Sequence, residues 1–405
     1  MDREIIEKSK KLIDSTDNKI CNHCLGRKFS DVLDFKDNVT RGIEIRKNLA
    51  MDESKECSIC NDIFLKIDDD LIKKIDDKIN YLDVKFDTFL VGSKVPKELL
   101  EKDEAIDKEF NFETENIKKE INREIGKLLE KHFNKEVGFE KQDIVINISF
   151  LNDVKVRIQI NPIFIEGKYN KFIRGIPQTK WPCRKCKGKG CSECDFTGKQ
   201  YKESVEELIS NTILKETKGF ASKFHGAGRE DIDVLMLGSG RPFVLEIKEP
   251  RIRKIDLKLL EDKINNINKS KTAYHNLKFV ERNRKAEIKV SSPDTFKIYK
   301  AFVKCENEFD LNKLDELKAL NRIEQFTPTR VEHRRAKLVR IKHVKYVKTV
   351  PIDSNNFEMI IKTEGGLYIK ELISGDNKRT KPSVSDILGV NCMCNQLDVV
   401  ELSEK

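Results

Sequence analysis

No run of about 18 apolar residues, the length that spans a bilayer as a helix, occurs anywhere in the chain. The N-terminus also lacks the basic, apolar and small-residue succession of a secretory signal. No internal repeat is evident. These absences predict a soluble, intracellular and cytoplasmic protein with no membrane partner; a monomer is expected, though no sequence feature fixes the oligomeric state. What the chain has instead is charge: 36% of its 405 residues are Asp, Glu, Lys or Arg, against 38% hydrophobic residues. Long periodic apolar segments argue against disorder, and the length allows two or three domains with sizeable cores.

The net charge of +9 is unevenly spread. In "RVEHRRAKLVRIKHVKYVK", Arg330 to Lys348, eight Lys or Arg stand against one acidic residue. They interleave with Val331, Leu338, Val339, Ile341, Val344 and Val347. The segment reads either as a solvated strand face or as a phosphate track, in which Arg330, Arg334, Arg335 and Arg340 replace the counterions of a polyanion. Basic and apolar alternation favours strands that bury the apolar face.

Cysteine usage points to metal. Eight of eleven cysteines form four C-x-x-C pairs. Two pairs complete a tetrahedral zinc shell, so Cys21, Cys24, Cys57 and Cys60 are predicted to hold one structural ion. "CRKCKGKGCSEC" offers a second site, Cys183, Cys186, Cys191 and Cys194, where metal is expected too, in a glycine-rich loop that could instead be oxidised or empty. Cys305, Cys392 and Cys394 belong to no such pair and read as core residues. His225 and His333 lie near no cysteine pair and read as hydrogen-bonding or phosphate-contacting groups.

The fold class expected is α+β. Residues 1–65 form a zinc-binding module, helical in the second half of the stretch between its cysteine pairs. Residues 66–161 form an accessory domain. There, Ile117, Ile121, Ile125, Leu128, Leu129 and Phe133 recur at helical spacing behind Thr114 as N-cap. "IVINISF" and "VKVRIQI" then alternate strictly, which predicts an antiparallel hairpin ended by Asn161-Pro162. From 162 to 405 a long mixed, mainly antiparallel sheet is expected, with a helix opened by Ser204 and Glu207 in capping-box spacing and closed at Gly219.

"GRED", Gly228 to Asp231, gathers charge in a glycine-bearing turn just ahead of the apolar strand "PFVLEIK". A carboxylate held there beside cations stays ionised, poised as base or nucleophile. The plainer reading is a turn whose charges pair with one another. "DIDVLMLGSGRPFVLEIK" also has the outline of a metal-dependent nuclease built on Asp233, Glu246 and Lys248. A non-catalytic, zinc-containing RNA-binding protein is the third alternative.

"GREDIDVLMLGSGRPFVLEI" resembles the active-site region of the tRNA pseudouridine synthases of the Pus-ten family. "KYNKFIRGIPQT", "SVEELI", "KIYKA", "TPTRVEHRRAKLVR" and "GGLYIKELISGDNKRTKPSV" resemble that family's other blocks, in the family's order. The N-terminal half is similar, more weakly, to its zinc-bearing, THUMP-like accessory RNA-binding domain. The resemblance implies isomerisation of uridine to pseudouridine in the T arm of tRNA, at positions 54 and 55, with no cofactor for catalysis. It implies Asp231 as the catalytic aspartate, acting on a flipped-out nucleotide. It further implies Tyr299 stacking on the target base, Tyr368 and Lys370 from the motif whose cation pairs with the aspartate, and Arg229 filling the gap left by the flipped base.

Overall fold

The computed structural model describes residues 1–291 and 296–403; the side chains of Ser291, Arg334 and Ser403 also lie outside the described residues. The chain divides into two compact units, 1–161 with 249–253, and 162–248 with 254–405.

In the first unit, strands β1 (Thr88–Lys94), β2 (Glu136–Val137), β3 (Ile144–Ser149) and β4 (Lys155–Ile160) form a sheet in the order β2-β1-β3-β4. The pairs β1/β2 and β1/β3 are parallel, and β3/β4 is the antiparallel hairpin expected. One core runs through the whole unit, from Leu12 and Cys24 to Ile125 and Ile158. The helix Asn22–Lys28 is tied to the helices Lys97–Phe110 and Ile117–Phe133 by buried charge. Arg27, fully buried, donates to Glu120 at 2.7 Å and Asp103 at 2.6 Å. Such a network is costly to break, because each partner removed leaves a charge without its counter-ion. The helix at 117 departs from expectation at its start: Asn116, not Thr114, is the N-cap, accepting from Lys119 N–H at 3.0 Å. Asn and Thr both cap well, and the residue nearer the first helical turn takes the role. Leu128 is 41% exposed and stands outside the apolar stripe assigned to it.

The second unit is a ten-stranded sheet. Its strands are β5 (Ile163–Lys171), β6 (Ala221–Gly226), β7 (Leu235–Lys248), β8 (Thr272–Val280), β9 (Phe296–Cys305), β10 (Arg322–Phe326), β11 (Val339–Pro351), β12 (Asn356–Glu364), β13 (Thr380–Lys381) and β14 (Cys392–Ser403). Their order is β13-β10-β11-β12-β9-β14-β7-β5-β8, with β6 on β7. Every pairing is antiparallel except β7/β14. The helices Val205–Thr217, Leu257–Asn268 and Ile369–Ser374 share the sheet's apolar core. Ser204 caps the first of them, accepting from Glu207 N–H at 3.2 Å. Strand β7 begins earlier than "PFVLEIK" suggested and continues through Gly238 and Gly240, whose positive φ accompanies a register shift against β5. Cys305 and Cys392 are buried and face each other in the β9/β14 register, while Cys394 is only partly buried.

The basic segment differs from the strand expected of it. Thr329–Arg334 is a 3-10 turn, and only from Val339 does β11 begin. There the phase is inverted: Val339 and Ile341 are exposed, while Arg340 and Lys342 are half-buried. Period-two alternation fixes that two faces exist, not which one looks inward. A register shift between Val344 and Tyr346 then resets the pattern, and Val344 and Val347 both reach the core.

Candidate active site

The link between β6 and β7 carries Gly228, Arg229, Glu230, Asp231 and Asp233, and its backbone is fixed from beneath. Gly228 has φ +80°, and a Cβ on Gly226 would meet the Gln178 side chain at 2.7 Å. Glycine is needed at both places, once for a left-handed backbone and once for close approach. Gln178 donates to Gly228 C=O at 2.9 Å and to the Tyr169 hydroxyl at 2.8 Å. Lys171, fully buried, donates to the carbonyls of Asp231 and Ile232 at 3.2 and 3.1 Å. Glu230 points into the protein: Arg241 Nε donates to it at 2.9 Å and the Tyr169 hydroxyl at 2.8 Å.

With Glu230 turned inward, Asp231 faces a cleft of about 640 Å³. Its Oδ2 lies 2.9 Å from Arg330 Nη1 and 3.7 Å from Lys370 Nζ. Each cation is shared. Arg330 also pairs with Glu371, and Lys370 with Asp233 at 2.7 Å. Burial alone would raise the Asp233 carboxyl, but the Lys370 ammonium outweighs it and holds the group below its usual range. The Arg330 guanidinium stands 5.8 Å from the centre of the Tyr368 ring. Tyr368 is itself pinned through its backbone, since Gln325 accepts from its N–H at 2.8 Å and donates to its C=O at 3.0 Å.

Tyr299, on β9, also lines the cleft. Burial pushes its phenol up to about 12, with Arg241 opposing and Asp231 and Glu230 adding. It therefore keeps its proton at neutral pH, available to donate. Arg229 lines the rim with its guanidinium 5.5 Å from the Trp181 ring centre. Arg335 and Arg340 line the same cleft, and so does Arg330. Thus the assigned Asp231, Tyr299, Tyr368, Lys370 and Arg229 meet in one place, joined by three of the four arginines read as a phosphate track. Lys342 was read only as part of the basic segment, and sequence reasoning missed Arg241, Lys171, Tyr169, Glu371 and Lys297. Their partners lie on distant strands, and nothing in local spacing marks them.

The nuclease outline does not assemble. Glu246 is held by His225 at 2.9 Å and by Lys285 at 3.2 Å, while Asp233 is committed to Lys370. Burial pushes the His225 imidazole down, with Glu246 opposing and Lys289 adding, so His225 is a buried hydrogen-bonding group. Among the described residues, the only groups of His, Cys, Asp or Glu arranged to hold a metal are the two cysteine quartets.

Both quartets fit zinc. Four sulfurs about 2.3 Å from one tetrahedral ion stand about 3.8 Å apart. Cys21 and Cys60 are 3.7 Å apart, Cys183 and Cys191 3.9 Å, Cys186 and Cys194 3.8 Å, and Cys191 and Cys194 3.7 Å. Backbone N–H groups of Gly190, Cys191 and Gly198 point at the sulfurs of Cys186 and Cys194 from 3.2 to 3.3 Å. Burial would raise Cys194, yet the N–H groups of Cys191 and Gly198 bring it down to about 7. Donors of that kind suit thiolates, the form in which cysteine binds metal.

Comparison with known proteins gives the family. A family described as Pus10, C-terminal, matches residues 164–403, and the Pus10 THUMP domain, archaeal, matches 72–149. A protein of Methanothermobacter marburgensis named tRNA pseudouridine synthase Pus10 is 48% identical over 401 residues, covering 99% of this chain and 99% of its own. Its namesake in Methanocaldococcus jannaschii is 49% identical over 365 residues, 89% of this chain and 78% of its own. A solved Cbf5-Nop10-Gar1 complex aligns over 49% of this chain and 45% of that one, at 16% identity and a TM-score of 0.30, a likeness too slight to argue from.

Proposed function

This chain belongs to the Pus10 family of tRNA pseudouridine synthases, an isomerase family, and we propose that it converts uridine to pseudouridine in the T arm of tRNA, at positions 54 and 55, with Asp231 as the catalytic carboxylate. The observation that carries the assignment is the Asp231 carboxylate itself. It lines the cleft part-exposed, where Glu230 is buried and committed to Arg241, with two cations on one oxygen and Tyr299 lining the same space.

The reaction cleaves the N-glycosidic bond, turns the base and rejoins it through carbon. A base inside a folded arm is out of reach, so the nucleotide must be flipped into the cleft. Arg229 is then placed at the rim to occupy the gap in the stack. Tyr299 offers the base a stacking surface and a phenol that stays protonated. Asp231 acts at the sugar, as a base on the 2′ hydrogen or a nucleophile on the anomeric carbon. Arg330 and Lys370 keep it oriented, and Tyr368 supports Arg330 from its ring face. Arg335 and Arg340 hold backbone phosphate, as Arg334 was assigned to do. The two cysteine quartets hold structural zinc, which takes no part in the chemistry.

The test is substitution of Asp231. Asp231→Ala and Asp231→Asn should abolish isomerisation of an unmodified tRNA transcript while tRNA binding stays near wild type, because one carboxylate contributes little to a phosphate-dominated affinity. Pseudouridine formed at the wild-type rate by either variant would remove Asp231 from the mechanism.

A further inference from the structure

The cleft holds more positive charge than its carboxylates neutralise. Arg241 is paired with Glu230, and Arg330 and Lys370 with Asp231. Among the described residues, Lys297, Arg335, Arg340 and Lys342 line the same space without an ion pair. Depth sets Lys297 apart from the other three, since it is only 9% exposed. It stands two residues before Tyr299 on β9, so both side chains project from one face of the strand into the cleft. Its register partners, Thr363 on β12 and Leu402 on β14, bring no charge. The charged groups facing it are Arg241 from β7, Lys342 from β11 and Glu230 from the link, and Glu230 is already committed to Arg241 and Tyr169. Lys342 is carried to this spot by β11, where its Cε lies over Gly366, 3.5 Å from the position a Cβ would take.

A buried ammonium facing two cations and one spent carboxylate lacks a counter-ion. We propose that Lys297, with Lys342 and Arg340, forms an anion-binding subsite deep in the cleft that receives the phosphate of the flipped uridine nucleotide. The subsite rests on the reading that this cleft isomerises uridine. Tyr299 offers a surface for the base, and a base that leaves its stack brings its own phosphate along. A phosphodiester supplies the negative charge the cluster lacks, and it does so only when substrate is bound.

Burial, with Arg241 and Lys342 adding and Glu230 opposing, pushes the Lys297 amine down to about 7. An arriving anion raises it again, because an opposite charge favours the protonated form. Phosphate binding therefore takes up a proton, and it weakens as the pH rises above 7.

Competitive acylation of the full-length protein with acetic anhydride, read at Lys297 by mass spectrometry, tests this. At pH 7, uridine 5′-monophosphate and inorganic phosphate should each slow acylation of Lys297 several-fold, and uridine should not. The protection by the nucleotide should fade at pH 9. Equal protection by uridine would turn the amine toward the base and overturn the subsite. So would protection by inorganic phosphate but not by the nucleotide, or protection by neither. Undiminished protection at pH 9 would overturn the proton coupling. Pseudouridine formation on an unmodified tRNA transcript, measured on the same preparation, keeps the two readings apart. Protection without isomerisation would sink the functional assignment and leave the anion subsite standing, whereas isomerisation without protection would sink the subsite alone.

Discussion

At the scale of single residues, neighbours in sequence have opposite fates. Glu230 and Asp231 are adjacent acids, yet one is buried against Arg241 and Tyr169 and the other is part-exposed in the cleft against Arg330 and Lys370. Local sequence shows both as parts of one charged cluster and cannot sort them, because the sorting is done by Lys171, Arg241 and Tyr169 on β5 and β7. Tyr299 was legible only through the "KIY" resemblance, since a strand tyrosine taken alone is usually a half-buried aromatic. Its role divides cleanly by substitution. Tyr299→Ala removes base stacking worth about 1 to 3 kcal/mol, so turnover of bound tRNA should fall while the salt dependence of binding is unchanged. Tyr299→Phe keeps the ring. Single-turnover rates equal to wild type would confine the residue to stacking, and an inactive variant that binds normally would give the phenol a part in proton transfer.

At the scale of elements, the site is made by the β6–β7 link and by the stretch from the 3-10 turn at Thr329 into β11. The link depends on a buried ion pair. Glu230→Ala leaves Arg241 buried without its counter-ion, which should cost about 3 to 5 kcal/mol in denaturant unfolding. A loss below about 1 kcal/mol would mean that the link is held by Gln178 and Lys171 alone. The basic segment shows where sequence reading stopped. Its charge density was legible, but its phase was not, because which side of β11 looks into the cleft depends on strands and loops elsewhere in the chain. Arg340 consequently lines the cleft that Asp231 also lines, and Arg330 spends its charge on Asp231 and Glu371. Neutralising Arg335 and Arg340 together should weaken tRNA binding and flatten its log–log salt dependence by about 0.7 to 0.9 per lost phosphate contact. Unchanged binding at every salt concentration would return that segment to a solvated face.

At the scale of the whole molecule, the two units rest on different physics. The second is a large sheet with an apolar core, readable from alternating strands, capped helices and motif order. The first gathers a zinc quartet, a buried charge network around Arg27 and a four-stranded sheet into one core, and the cysteines, the apolar stripe of the helix Ile117–Phe133 and the hairpin announced it while the charge network went unread. Arg27, Asp103 and Glu120 lie far apart in sequence and carry no spacing signal. Cys21→Ser should lose about one zinc per chain and loosen the first unit, while the fold of the second survives. Elemental analysis with unchanged zinc would contradict the site. The central claim, an isomerase that works on the T arm of tRNA, is tested most directly by incubating the full-length protein with an unmodified tRNA transcript in EDTA and mapping pseudouridine and strand breaks together. The account predicts pseudouridine at positions 54 and 55, no new breaks, and no product with Asp231→Asn; pseudouridine elsewhere, or none in the T arm, would contradict it.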